Sequence, residues 1–219
     1  MAVWRFVNLN IPEAQLLADL TGIENDLDAA AAICDLLLKE LAEGQPSVRL
    51  IEALTASALV RYARSFKSGV RSGIPESVFE GLSPEQLADH QLFIDLRDKY
   101  IAHSVNAFEE NQVVAYLVPE ERGPRSVSSI SVQQNRIASL GTSDANRLKA
   151  LSLELRQRVA RILEAENQKV LIAARALPVD VLYNQVDPSP KVATDADAGK
   201  PRKRFVTANR PVRQKRRIR

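Results

Sequence analysis

The chain has few of the residues that build metal centres and cross-links. Among 219 residues there is one cysteine, Cys34, and there are two histidines, His90 and His103. A lone cysteine excludes an internal disulfide and fits a reducing, cytoplasmic setting. One cysteine and two histidines also exclude a Cys/His zinc cluster. The phosphate-loop pattern G-x-x-x-x-G-K-[ST], the dinucleotide pattern G-x-G-x-x-G and the nucleophile pattern G-x-S-x-G are all missing. Ser68-Gly69-Val70-Arg71-Ser72-Gly73 therefore reads as a loop, and neither cofactor nor metal is expected. Long apolar runs are lacking too. The longest, Ala29 to Leu38, is broken by Asp35 and is too short to span a bilayer. No basic segment leads into an apolar run at the N-terminus, so neither a secretion signal nor membrane insertion is expected.

Charge is present but unevenly placed. From Lys200 onward there are ten basic residues and no acid, which leaves 20 basic and 27 acidic side chains in 1–199, a net of −7. The overall +3 is thus the sum of an acidic body and a basic arm. Ten cations in twenty residues cannot build a core. The tail reads as a disordered arm that binds nucleic acid by counterion release, with Arg202, Lys203, Arg204, Lys215, Arg216 and Arg217 as its densest contacts. The alternatives are a solubility tail, a strand that folds back on the acidic body, or a membrane-surface contact that no amphipathic stripe favours.

The body reads as helical. Pro12 opens a helix to about Leu20, and Gly22 is placed to bend or break it before a second stretch over Ile23–Leu41. Gly44, Gln45 and Pro46 turn the chain into a helix over about Ser47–Lys67, with Leu50, Leu54, Leu59 and Tyr62 toward the core. Trp4, Phe6 and Val7 are expected to dock on the body. Val113–Val118 and Ser126–Gln133, separated by a turn-like Pro119–Arg125, predict a β-hairpin. Ser143 or Asp144 caps a long helix over about Ala145–Ala176, whose Leu148, Leu151, Leu155, Val159 and Ile162 recur at helical spacing. The expected fold is all-α: an antiparallel bundle of four to five helices with a hairpin inserted at about 112–134. The domain covers 1–178, a linker 179–199 and the basic tail 200–219.

The segment Ser83–Val105 stands out. Ser83 is a good N-cap, Pro84 suits the first helical position, and Gln86 sits where a capping-box side chain reaches back. Leu87, Ile94, Ile101 and Val105 fall on one face and Leu92, Phe93, Leu96 and Tyr100 on the other, which predicts a central helix packed on both sides. Asp98 and His103 interrupt these stripes, where polar groups cost free energy unless paired. Lys99 has Asp95 four residues before it, the favourable order for an ion pair. Arg97 has no acid three or four residues away and needs a partner from outside its own helix.

The run Arg97-Asp98-Lys99-Tyr100-Ile101-Ala102-His103 resembles the R-x4–6-H motif of the HEPN superfamily, in which a polar residue directly follows the arginine. The resemblance covers about residues 12–176 loosely and does not cover the tail. Many of these small helical-bundle proteins are ribonucleases of toxin–antitoxin and phage-defence systems. The resemblance implies a metal-independent endoribonuclease acting on RNA as a homodimer, with an antitoxin or defence-complex partner. A non-catalytic nucleotide- or RNA-binding module or partner subunit is the alternative. It assigns Arg97 to phosphate binding, His103 to proton transfer and Asp98 to support. The chemistry suits the residue types, because histidine titrates near neutrality and arginine offers a planar fork to phosphate oxygens.

On a regular helix, Arg97 and His103 point about 120° apart and lie about 9 Å apart along the axis. Convergence then requires a distorted last turn or a site shared across a two-fold dimer. His90, about 20 Å up the same helix, is a poor substitute. Arg61, Arg64 and Lys67 form a basic row that reads either as a solvated face or as the lining of an RNA groove.

Overall fold

The computed structural model describes residues 6–66, 73–101, 111–134, 139–185 and 193–200. They form five α-helices and one two-stranded antiparallel sheet: α1 (Glu13–Leu41), α2 (Val48–Arg64), α3 (Pro84–Asp95), β1 (Asn111–Leu117), β2 (Val127–Gln134), α4 (Thr142–Arg175) and α5 (Val179–Asn184). Cross-helix polar pairs fix the directions. Ser47 N–H donates to Glu40 and Arg61 pairs with Asp26, so α2 runs back along α1. Lys149 reaches Asp35 at 2.5 Å and Arg156 reaches Asp28 at 3.3 Å, so α4 also runs against α1. Arg147 pairs with Asp89, and Arg158 bonds the carbonyls of Val78 and Glu80 in the approach to α3. The four long helices are an up-down-up-down antiparallel bundle.

The central helix is α1. It packs on both α2 and α4. It buries Leu20, Ile23, Leu27, Ala30, Ala31, Cys34 and Leu37, with Asp19 and Asp26 among them. The small side chains Ala30, Ala31 and Cys34 leave room for the neighbours to approach. Gly22 does not break the helix, which runs unbroken for 29 residues. An interior glycine costs only about 1 kcal/mol against alanine, less than the flanking Leu20 and Ile23 gain by burial. The opposing face comes from α4, whose Leu148, Leu151, Leu155 and Val159 are buried, with Ile162 packed at the margin. In α2, Leu59 and Tyr62 face the core as the sequence predicts. Leu54 is half-buried, and Leu50 is exposed because it lies in the first turn, beyond the reach of α1.

α3 is peripheral, not central. Only Phe93 is fully buried; Ile94, Leu96 and Ile101 pack at the edge, while Leu87 and Leu92 remain exposed. Its two apolar stripes are real in composition, but the helix has neighbours on one side. Further differences are local. Phe6 stays exposed and Val7 is half-buried, while Trp4 lies outside the described residues. The stretch read as linker contains the helix α5 and a 3₁₀ turn at Asp195–Asp197. α4 starts at Thr142 with Gly141 as its N-cap, so Ser143 and Asp144 are first-turn residues and not the cap.

The hairpin lies where the sequence places it. Val113 pairs with Val132 and Ala115 with Ile130, with an irregularity between Tyr116 and Leu117 that leaves Ser128 outside the ladder. The return to the bundle is pinned by a buried bond from Leu140 N–H to the Thr55 hydroxyl on α2, 3.1 Å long. No helix among the described residues is long and apolar enough to cross a membrane.

Candidate functional site

The site is built from the start of α3. Gly81, at φ +73°, takes the left-handed conformation that glycine adopts without strain and turns the chain. Ser83 and Gln86 then form a complete capping box: the Ser83 hydroxyl accepts from Gln86 N–H at 3.2 Å, and the Gln86 side chain accepts from Ser83 N–H at 2.9 Å. The Arg158 guanidinium on α4 holds the Val78 and Glu80 carbonyls just ahead of this cap. The direction of α3 is thus set by its first turn and by α4.

At its far end the helix widens. Leu96–Ile101 form a π-helical turn, a geometry that recurs at functional sites. Arg97 and Asp98 both sit in it. Arg97 Nη1 donates to Asp98 Oδ1 at 2.8 Å, and both side chains are about 30% exposed, 29% and 31%. Arg97 Nε is buried and has no hydrogen-bond partner among the described residues. The adjacent acid therefore orients the guanidinium while leaving part of its donor fork unused. The predicted Asp95–Lys99 ion pair is present at 3.2 Å.

His103 lies outside the described residues, as do Lys67, Arg202, Lys203, Arg204, Lys215, Arg216 and Arg217. The 120° separation computed for a regular helix does not apply across a π turn, because the residues per turn change there. Of the basic row, Arg61 and Arg64 converge on the buried Asp26 carboxylate, at 2.9 and 3.7 Å. Asp26 gives the row a structural task, and both guanidinium groups are still half-exposed.

Sequence reasoning missed the role of His90. Its Nδ1 is 2.8 Å from the Tyr62 hydroxyl, and its ring packs edge-on against Phe66, at 4.6 Å between centroids, and against Phe79 at 5.0 Å. Burial raises the Tyr62 pKa well above that of a free phenol, and the Asp89 charge adds to the rise. The hydroxyl keeps its proton and donates it to Nδ1. Burial also lowers the His90 pKa, so the ring is neutral. His90 belongs to an aromatic cluster between α2 and α3, not to the Arg97 turn, which is about two helical turns away. The only local signal was four aromatic residues, Tyr62, Phe66, Phe79 and Phe93, on segments that flank it. Burial pushes the Cys34 thiol up to about 12, as expected of a core cysteine and not of a nucleophile.

No family model matches the chain, and neither a curated protein nor a solved structure matches it.

Proposed function

We propose that this protein is an endoribonuclease of HEPN type, acting on RNA as a homodimer without a metal ion. The observation that supports this reading best is the Arg97–Asp98 pair in a π-helical turn at the exposed end of a bundle helix. A half-exposed arginine whose partner is the next residue, and whose Nε is buried without a partner among the described residues, suits phosphate binding.

In the proposed reaction the ribose 2′-hydroxyl attacks phosphorus and the bond to the 5′-oxygen breaks. The products are a 2′,3′-cyclic phosphate and a 5′-hydroxyl. His103 takes the proton of the attacking hydroxyl, and the second subunit's copy of that histidine returns one to the leaving oxygen. Arg97 stabilises the charge that gathers on the phosphorane oxygens. Asp98 holds the guanidinium in place. An antitoxin-like inhibitor or a defence complex is the partner this activity calls for, since an unrestrained ribonuclease harms its own cell.

The test is cleavage of single-stranded RNA by purified protein in EDTA, with the product ends identified. Cyclic phosphate ends should appear. Arg97→Ala and His103→Ala should each slow cleavage by about 10²-fold or more. No cleavage by the wild type, or cleavage unchanged in both variants, overturns the proposal. Binding without cleavage that is lost in Arg97→Ala marks the non-catalytic RNA-binding module instead.

A further inference from the structure

We propose that the apolar face of the β1–β2 hairpin is a self-association surface, docking against the same face of a second copy of this chain. Val113, Ala115, Leu117, Ile130 and Val132 alternate to one side of the ladder. The irregularity at Tyr116/Leu117 brings Val127 opposite Leu117 and so onto that face; without it, alternation would set Val127 beside Ser129 on the other side. All six are exposed, Val113 at 72% and Ile130 at 73%. The opposite face carries Gln112, Val114, Tyr116, Ser129, Ser131 and Gln133 and is mixed in character. A two-stranded hairpin is marginal alone in water. A contiguous apolar patch of this kind marks an interaction surface.

The charge pattern selects the occupant. The fifteen strand residues include no Asp, Glu, Lys or Arg, in a chain that is 26% charged. Such a face has no means of holding nucleic acid or an anionic membrane. The strands also lack the lysines and prolines that keep exposed sheets from associating. The connecting tip balances Glu120 and Glu121 against Arg122 and Arg125, and Arg125 already pairs with Glu120 at 2.7 Å. A two-fold contact sets a patch against its own copy and requires it to be self-complementary. An uncharged apolar face beside a charge-balanced tip meets that requirement, with no like charges brought together.

The inference deepens the homodimer reading above and rests on it for the link to the Arg97 turn. The ten residues from Ile101 to Asn111 span at most about 36 Å, so a dimer joined through the hairpins keeps both Arg97 turns within reach of its two-fold axis.

Sedimentation velocity on the full chain, over a micromolar concentration series, provides the test. The wild type should be dimeric. Val113→Lys combined with Ile130→Lys should raise the dimer dissociation constant about 30-fold or more, with helical circular dichroism unchanged. Ser129→Lys, on the opposite face, should leave the dimer intact. A monomeric wild type, a dimer indifferent to the double substitution, or equal disruption by Ser129→Lys would each overturn the docking. Cleavage is scored separately. A monomer that cuts RNA sinks the docking alone, and a hairpin-dependent dimer that cuts nothing sinks the ribonuclease alone.

Discussion

The neutral imidazole of His90 links burial to acid stability. Its pKa is lowered in the fold by desolvation, from an ordinary value of 6.5. The unfolded chain therefore binds the proton more readily, and stability should fall as pH drops through about 6.5 and level off below the folded value. The groups around the ring are the Tyr62 hydroxyl from α2 and Asp89 on its own helix, whose carboxylate is taken up by Arg147 of α4. Urea unfolding from pH 8 to pH 5 should show His90→Gln losing this part of the pH slope. A slope that survives the substitution would mean the imidazole is charged in the fold. The sequence alone did not reveal this cluster, because its members come from α2, the 76–79 turn and α3, and nothing local requires them to meet.

At the scale of elements, Arg158 joins two parts of the chain that sequence reading treats separately. From α4 it holds the Val78 and Glu80 carbonyls ahead of α3 and also pairs with Glu154 at 2.6 Å. Arg158→Ala should cost about 1.5–3 kcal/mol, the range for hydrogen bonds to a charged group. It should also raise amide exchange over Val78–Gln86 before it does so in α1, and uniform exchange across the bundle would contradict this. The same elements mark how much of the fold was legible. The stripe of α4, the hairpin and the capping box at Ser83 follow from local periodicity and turn chemistry, and each appears in place. The ranking of the helices did not follow. Apolar residues on two sides of α3 record what the helix contains, whereas centrality depends on which helices flank it. α1 took that place with alanines and a cysteine at its contacts, which composition scores as weak. Of the candidate site, the Arg97–Asp98 pairing was legible from adjacency, while the π turn that holds it has no sequence signature of its own.

For the whole molecule, the separation of a −7 body from a basic arm makes RNA affinity a property of the arm. Deleting 200–219 should weaken binding and flatten the salt dependence by about 0.7 in log–log slope for each single-strand phosphate released. Cleavage at saturating RNA should persist, because the Arg97 turn belongs to the bundle. Fluorescence anisotropy across a salt series reads the first effect and single-turnover cleavage the second. Affinity unchanged by the deletion would place the arm on its own acidic surface.

The widened turn at Leu96–Ile101 also has a consequence for how the chain tolerates changes of length. Losing one position there would close the coil to its ordinary pitch and swing everything downstream by about 100°. Substitutions that preserve the count leave that phase alone. Between Arg97 and the hairpin, the number of residues is itself a working part of the molecule.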